Sequence, residues 1–175
     1  MKNFYMIGGT MGIGKTSTCK FLKNKLPNSV FLDGDWCWDM NPFQINNETK
    51  SMVMKNICYM LNNFLKCSCY DNIIFCWVMH KQEIINSILE TLDLSEVKLH
   101  LISLVCERQT LYDRLMSDVA AGIRNTDVIF RSIEYLPLFY KLNTDLLDVT
   151  DVSPEQAANL IPVSYTHLRA HETTL

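Results

Sequence analysis

The sequence predicts an α/β fold in which a five-stranded, mostly parallel sheet carries helices on both faces. Three observations predict it. Five short apolar stretches alternate with segments whose apolar residues recur at helical spacing. The stretch 73–79 is continuously apolar, as is typical of a central strand covered on both faces. A glycine-rich loop over 8–14 separates the first apolar stretch from the first helical one.

The expected strands are the apolar stretches that turn residues or helical segments delimit. They cover residues 4–7, 29–32, 73–79, 97–105 and 145–149. The third is expected to end at His80. Because parallel strands end at one edge of the sheet, the groups that follow them should converge there, including Glu107 and Arg108.

Helical periodicity or a start signal predicts each connecting helix. The expected helices cover roughly 15–26, 47–66, 84–92, 107–120 and 127–142, with a last one from 154 to 161. Pro137 should interrupt the fifth, because proline removes a helix hydrogen bond. Ser153 as N-cap and Pro154 at the first helical position predict the start of the last.

Composition indicates one ordinary globular domain. The chain has 175 residues, 48% hydrophobic and 20% charged, with a net charge of −3. That charge argues against a nucleic-acid binder, and the longest apolar runs are too short to span a bilayer. Residues 1–8 lead directly into the first strand and loop, so no signal peptide is expected. Seven cysteines without a C-x-x-C pair favour a reducing cytoplasm, and we expect a monomer or homodimer.

The segment 163–175 fits no element of the predicted fold. It lacks periodicity and resembles the translated read-through of a sequencing adapter. We therefore expect a domain over 1–162 followed by a non-native tail, with a natural disordered tail as the alternative.

The loop after the first strand matches the Walker A pattern G-x-x-x-x-G-K-[ST]. Its backbone N–H groups and the following helix N-terminus suit phosphate oxygens. Lys15 can reach the β- and γ-phosphates, and the Thr16 hydroxyl can ligate Mg²⁺. The predicted nucleotide-binding residues are Gly9, Thr10, Met11, Gly12, Ile13, Gly14, Lys15, Thr16 and Ser17. The alternative is a glycine-rich turn that binds nothing.

Two acids, Asp33 and Asp35, follow the second strand. A carboxylate there can hold or deprotonate an attacking hydroxyl near the γ-phosphate, although Asp-Gly-Asp also suits a plain turn. The next residues include Trp36 and Trp38, which either form a wall for a substrate or plug the edge of the core. His80 either contacts the substrate or merely ends its strand.

Three arginines bracket the break at Gly122. Arginines on a mobile segment can neutralise charge on a transferring phosphoryl group. Arg124 is the best candidate for that role and Arg131 is the next. Arg114 could equally lie on a solvated helix face.

GGTMGIGKT and Leu32-Asp33-Gly34-Asp35 resemble the small P-loop kinases, such as shikimate, gluconate and adenylylsulfate kinases and chloramphenicol phosphotransferase. The resemblance covers about 1–161 and implies an AAA-type, three-layer P-loop NTPase sandwich with sheet order 2-3-1-4-5. It also implies ATP as donor, an arginine-bearing lid, adenine near 150–154 and Asp35 as the base. The arginine usual after this motif in adenylylsulfate kinases is absent, and Trp36-Cys37-Trp38 stands there, so the acceptor does not carry over.

The leading hypothesis is an ATP- and Mg²⁺-dependent kinase that phosphorylates a hydroxyl of a small molecule. Its predicted catalytic residues are Lys15, Asp33, Asp35, Arg124 and Arg131. Asp33, Asp35, Trp36, Trp38 and His80 are the predicted substrate contacts, and Thr16 is the metal ligand. The alternatives are a nucleoside or nucleoside-monophosphate kinase, and a nucleotide-binding regulatory or toxin-like module.

Overall fold

The computed structural model of the chain describes residues 1–161. Its strands are β1 (Lys2–Gly8), β2 (Ser29–Asp33), β3 (Asn72–Cys76), β4 (Val97–Val105) and β5 (Asp145–Asp148). They form one sheet in the order β2-β3-β1-β4-β5, and each neighbouring pair is parallel. The predicted fold class and strand order are therefore confirmed. The expected tail, 163–175, lies outside the described residues.

Six α-helices connect or follow the strands within the described part of the chain. They are α1 (Lys15–Lys25), α2 (Asn47–Lys66), α3 (Gln82–Leu89), α4 (Arg108–Ala120), α5 (Asp127–Tyr135) and α6 (154–161). As Pro137 predicts, α5 gives way to a 3₁₀ turn, Leu136–Lys141. In residues 1–161 no helix combines the length and the apolar character needed to cross a membrane.

The core lies on both faces of the sheet because side chains alternate along each strand. On β1, Phe4 and Met6 face the layer that contains α2 and α3. Tyr5 and Ile7 face the opposite layer, to which α1, α4 and α6 contribute. Since the strands are parallel, their carboxyl ends meet at one edge, where ligands of such sheets bind.

The third strand is shorter than its apolar run predicts. It ends at Cys76, although the Trp77 N–H still donates to the Ile7 carbonyl over 3.2 Å. The chain then turns at Met79, which has φ of 43° and a buried side chain. Met79 is apolar because it fills the core beside Gly8, so hydrophobicity alone could not mark the strand end.

The last helix begins where the sequence predicts. The Gln156 N–H donates to Ser153 Oγ over 3.2 Å, and the Ser153 N–H donates to Gln156 Oε1 over 2.8 Å. This reciprocal pair satisfies two N–H groups that a helix start otherwise leaves unpaired. It fixes the loop between β5 and α6 beside the phosphate-binding loop.

Candidate active site

The phosphate-binding loop runs from the end of β1 to α1 and opens onto the carboxyl edge of the sheet. Gly14 precedes α1 with φ of 103°, and Gly12 has φ of 79°. Residues other than glycine rarely adopt these φ values. The glycines predicted from the Walker pattern are therefore required by the backbone itself.

Gly12 is also confined by its surroundings. A Cβ added there would clash with Leu115 on α4 and lie 3.1 Å from its Cγ. Leu115 is completely buried, so it has little room to move. The close approach holds α4 against the loop.

We expect Gly12→Ala to lower the free energy of unfolding by about 2–4 kcal/mol, from backbone strain and overpacking together. Gly122→Ala is the matched control, because Gly122 has φ of 73° but nothing within 4 Å of an added Cβ. Gly122→Ala should lower the free energy of unfolding only by the backbone strain, about 1–2 kcal/mol. Urea unfolding of both variants measures the difference, and equal losses would mean that Leu115 moves aside freely.

Lys15 begins α1 and its side chain is buried. Its ammonium donates to the Thr10 carbonyl over 2.9 Å. Burial lowers the pKa of Lys15, while nearby groups that include Asp35 and Asp33 oppose the shift. The result is a desolvated cation held at the loop, where its attraction to an anion would be stronger than in water.

Asp33 links the loop to the second strand. Thr16 Oγ1 donates to Asp33 Oδ2 over 2.5 Å, and the Asp35 N–H donates to Asp33 Oδ1 over 2.9 Å. Asp33 is 4% exposed. One buried carboxylate thus holds both the Walker threonine and the backbone of Asp35.

Asp35 borders the same cavity as the loop. Although solvent reaches this residue, burial of its carboxyl and the Asp33 charge raise its pKa. Lys15, the Trp77 side chain and Arg124 act in the opposite direction. A carboxylate whose charged form is disfavoured binds a proton more readily, as suits a general base.

Trp77 is a site residue that the sequence reasoning missed, because it reads as part of the third strand. Its indole lies against Gly34, where an added Cβ would stand 2.6 Å from Trp77 Cγ. The same side chain interacts with the Asp35 carboxyl. Gly34 therefore lets the indole pack directly beside the candidate base.

A cavity of about 460 Å³ is lined by Lys15, Thr16 and Asp35, and its volume is within the range usual for small-ligand sites. Most of the predicted phosphate-binding residues line it, together with residues of α4 and of the loop before α6. The lining residues are Met11, Gly12, Ile13, Gly14, Lys15, Thr16, Ser17, Thr18, Asp35, Arg114, Ser117, Asp118, Arg124, Val149, Val152, Ser153, Pro154 and Ala157.

The arginines occupy different positions. Arg114 lines the cavity and donates to the carbonyls of Val149 and Thr150 over 2.7 and 3.3 Å. Arg124 also lines it, with Nε 2.9 Å from Asp118 Oδ2. Arg131 is exposed on α5 and is absent from the lining. The structure thus brings Arg114 and Arg124 to the loop, and the lid stays a prediction.

In the loop from Trp36 to Phe43, one tryptophan lies at the surface and the other packs against the core. Trp36 is 52% exposed and packs edge-on against Phe31. Trp38 is half-buried against the core and contacts Phe43. Neither tryptophan lines the 460 Å³ cavity. Both readings of the loop therefore stay open.

His80 and the start of α4 lie apart from the cavity. The His80 ring stacks on Tyr135 with centroids 4.0 Å apart, and burial lowers the pKa of His80. Arg108 lines a separate cavity between α4 and α5, and the Glu107 N–H donates to Thr150 Oγ1. Neither residue lines the phosphate cavity, so the expectation that Glu107 and Arg108 join it is wrong. They lie just before and at the start of α4, and the part of that helix that reaches the cavity begins only at Arg114.

Solved structures with this architecture span nearly the whole chain. A tunicamycin resistance protein of Deinococcus radiodurans has TM-score 0.67 and 15% identity, covering 94% of this chain and 96% of its own. A gluconokinase of Sinorhizobium meliloti has TM-score 0.66 and 13% identity, covering 98% and 96%. An APS kinase of Mycobacterium tuberculosis, solved with AMPPNP and APS, has TM-score 0.60 and 12% identity, covering 94% and 98%.

These likenesses confirm the resemblance to small P-loop kinases at the level of the fold. No curated protein matches the chain. The family described as AAA domain matches residues 6–127, which run from β1 through the phosphate-binding loop to the start of α5. With the strand order, the Walker loop and this match in agreement, the chain belongs to the AAA domain family.

Proposed function

We propose that the chain is an ATP- and Mg²⁺-dependent phosphotransferase that moves the γ-phosphoryl group to a hydroxyl of a small molecule. One observation carries the proposal: Lys15, Thr16 and Asp35 line a single cavity, and Asp33 joins Thr16 to Asp35. A phosphate anchor and a candidate base therefore meet across one space. Phosphoryl transfer needs mainly such positioning and charge stabilisation.

The nucleotide would lie along the cavity. The loop N–H groups and the Lys15 ammonium suit the phosphates, as in other Walker loops. Arg114 is held by the carbonyls of Val149 and Thr150, so its guanidinium is fixed near the loop before α6. A planar guanidinium stacks well on an aromatic ring, which supports binding of adenine there.

Magnesium suits the pair formed by Thr16 and Asp33. A hydroxyl and a carboxylate oxygen 2.5 Å apart are the hard oxygen donors that Mg²⁺ prefers. No cluster of three or more metal-ligating side chains occurs in residues 1–161, and Mg²⁺ usually takes few protein ligands beside nucleotide and water. When bound, the ion would neutralise phosphate charge.

The acceptor hydroxyl would face Asp35. The raised pKa of Asp35 favours acceptance of a proton, and the Trp77 side chain, packed on Gly34, interacts with the Asp35 carboxyl. Besides its place beside Thr16, Asp33 also holds the backbone of Asp35. Trp36, Trp38 and His80 remain candidate acceptor contacts. Arg124 is close enough to influence Asp35 and would steady the transferring group, with Arg131 as the second candidate.

The gluconokinase and the APS kinase support this proposal, since proteins of the same architecture phosphorylate small molecules. Seven free thiols, four of them buried, also suit a reducing cytoplasm. A nucleoside kinase is the second candidate, because the exposed Trp36 ring offers a surface for stacking a base.

An acceptor screen tests the proposal. We would incubate the full chain with Mg²⁺ and ATP and measure ADP release, without acceptor and with sugar acids, shikimate, adenylylsulfate and nucleosides in turn. We expect ADP release to rise with one chemical class. Release that no acceptor stimulates would favour an ATPase, and binding of ATP without release would favour a regulatory module.

Thr16→Ala should raise the Mg²⁺ concentration needed for half-maximal ADP release by roughly tenfold, because it removes one proposed ligand. Thr16→Ser keeps the hydroxyl and should behave nearly like the unaltered chain. Chelation of Mg²⁺ by EDTA should abolish release in every variant. Equal Mg²⁺ dependence of Thr16→Ala and Thr16→Ser would exclude the hydroxyl as a ligand.

A further inference from the structure

A buried hydrogen-bond chain joins α5 to the phosphate-binding loop. Ser132 on α5 lies 122 residues from Thr10 along the sequence, and neither residue is exposed to solvent. Thr10 Oγ1 lies 2.7 Å from the Ser132 carbonyl oxygen and 2.9 Å from Ser132 Oγ. Ser132 Oγ in turn lies 2.5 Å from the Met11 carbonyl oxygen. Two consecutive loop residues are thus bonded to one serine of a distant helix.

The direction of these bonds follows from the donors available. A carbonyl only accepts and each hydroxyl has one proton to donate. The proton of Ser132 Oγ must therefore go to the Met11 carbonyl. The proton of Thr10 Oγ1 then goes to Ser132, shared between its carbonyl and its hydroxyl. Without the Ser132 hydroxyl the Met11 carbonyl loses this donor, and without the Thr10 hydroxyl the Ser132 hydroxyl no longer accepts a bond. Each loss of an internal hydrogen bond is costly.

The contact acts where the loop needs support. The Thr10 carbonyl also accepts a hydrogen bond from the Lys15 ammonium, and Met11 lines the cavity. The glycines that follow give this backbone much conformational freedom, and ordering it on binding would cost entropy. A loop already held in place binds its ligand more tightly.

We propose that Ser132 is a positioning residue that holds Thr10 and Met11 in the geometry that receives a nucleoside triphosphate. It touches neither the cavity nor the reacting groups, and it acts through the loop. This proposal rests on the proposed function, because only that function identifies the ligand as a nucleoside triphosphate. It makes α5 part of the nucleotide site, although α5 contributes no residue to the cavity wall.

Ser132→Ala and Thr10→Val test the role from both sides of the contact. Binding of the non-hydrolysable ATP analogue AMPPNP with Mg²⁺ to the full chain would be measured by calorimetry, at a temperature where circular dichroism shows each variant folded. We expect roughly tenfold weaker binding for each, the effect of one lost buried hydrogen bond. The loss of affinity in the double variant should be smaller than the two single losses combined, because both substitutions remove the same bond between the two hydroxyls.

Two controls separate positioning from general damage. Ser87→Ala removes an exposed helix serine that donates to the Glu83 carbonyl over 2.7 Å, and AMPPNP binding should not change. Thr10→Ser keeps the hydroxyl and should restore most of the affinity. If Ser132→Ala does not fold, Thr10→Val carries the test, because valine has nearly the shape of threonine.

Unchanged AMPPNP binding in the folded variants would overturn the proposal, even if their stability falls, and would leave the proposed function intact. Losses of affinity that add up fully in the double variant would contradict the coupling between the two hydroxyls. Failure of the unaltered chain to bind AMPPNP would overturn both, and that result is distinct because it appears before any substitution.

Discussion

Lys15→Met should abolish most phosphoryl transfer, with a loss of roughly 10²–10³-fold in kcat/KM. The ammonium is the buried cation of the cavity, and it is already desolvated before a ligand arrives. Its interaction with phosphate is therefore stronger than that of an exposed lysine. Methionine keeps the apolar stem and removes only the charge. AMPPNP should also bind more weakly, which calorimetry can measure without knowledge of the acceptor.

The same variant should keep or gain thermal stability. The lowered pKa of Lys15 means that its charged form is less favourable in the folded chain than in the unfolded chain, so removing the charge should not destabilise the fold. Lys20→Met is the matched control, since Lys20 lies on the same helix but is exposed. It should change neither activity nor melting temperature. If Lys15→Met transfers the phosphoryl group with the kcat/KM of the unaltered chain, Lys15 is excluded as the phosphate anchor.

Asp35→Asn should lower kcat by about 10²–10⁴-fold, the usual contribution of a general base. Binding of AMPPNP should change little, because Asp35 is assigned to the acceptor side of the cavity. Asp39→Asn is the control, since Asp39 is an exposed acid on the same loop that does not line the cavity. If Asp35→Asn turns over the identified acceptor at the rate of the unaltered chain, the base is another group.

The pH dependence follows from the raised pKa of Asp35, which burial causes first and Asp33 second. Transfer needs the charged carboxylate, so kcat should fall as the pH drops through this raised pKa. The contribution of Asp35 to folding stability depends on pH in the opposite direction. The folded chain binds the Asp35 proton more tightly than the unfolded chain, so this contribution is full at low pH and is lost as pH rises through the folded pKa.

Asp35→Asn should therefore unfold at a slightly higher temperature than the unaltered chain at neutral pH, and the difference should vanish in acid. Because solvent reaches Asp35, the gain should be small. Scanning calorimetry at several pH values checks this. A stability loss at neutral pH would mean that the carboxylate is structurally favourable and not poised for chemistry.

The spacing of apolar residues along the sequence predicts many of the helices and strands. Helix α2 begins and ends where the pattern of apolar residues does, and β4 covers the whole predicted stretch. Periodicity says nothing about which strands are neighbours, and the order of the sheet came from the resemblance to P-loop kinases. The end of β3 was missed because Trp77 and Met79 are apolar for reasons of packing, not of pairing.

The residues of the candidate site also fall into two groups, those that the sequence could predict and those that it could not. The loop from Gly9 to Thr16 could be predicted because its function requires a contiguous pattern. Trp77 and Ser132 could not, because each meets its partner only through the folding of distant segments. Arg114 was ambiguous, since a helix pattern cannot tell whether an arginine faces water or the carbonyls of Val149 and Thr150.

The central claim is that phosphate leaves ATP for a small molecule. It is tested most directly by following the γ-phosphoryl group, labelled with ¹⁸O, by mass spectrometry after incubation of the full chain with Mg²⁺ and the acceptor found by the screen. We predict the label in a phosphate ester of that acceptor, formed by the unaltered chain and not by Lys15→Met. Label found only in inorganic phosphate, or only on protein, would contradict the account.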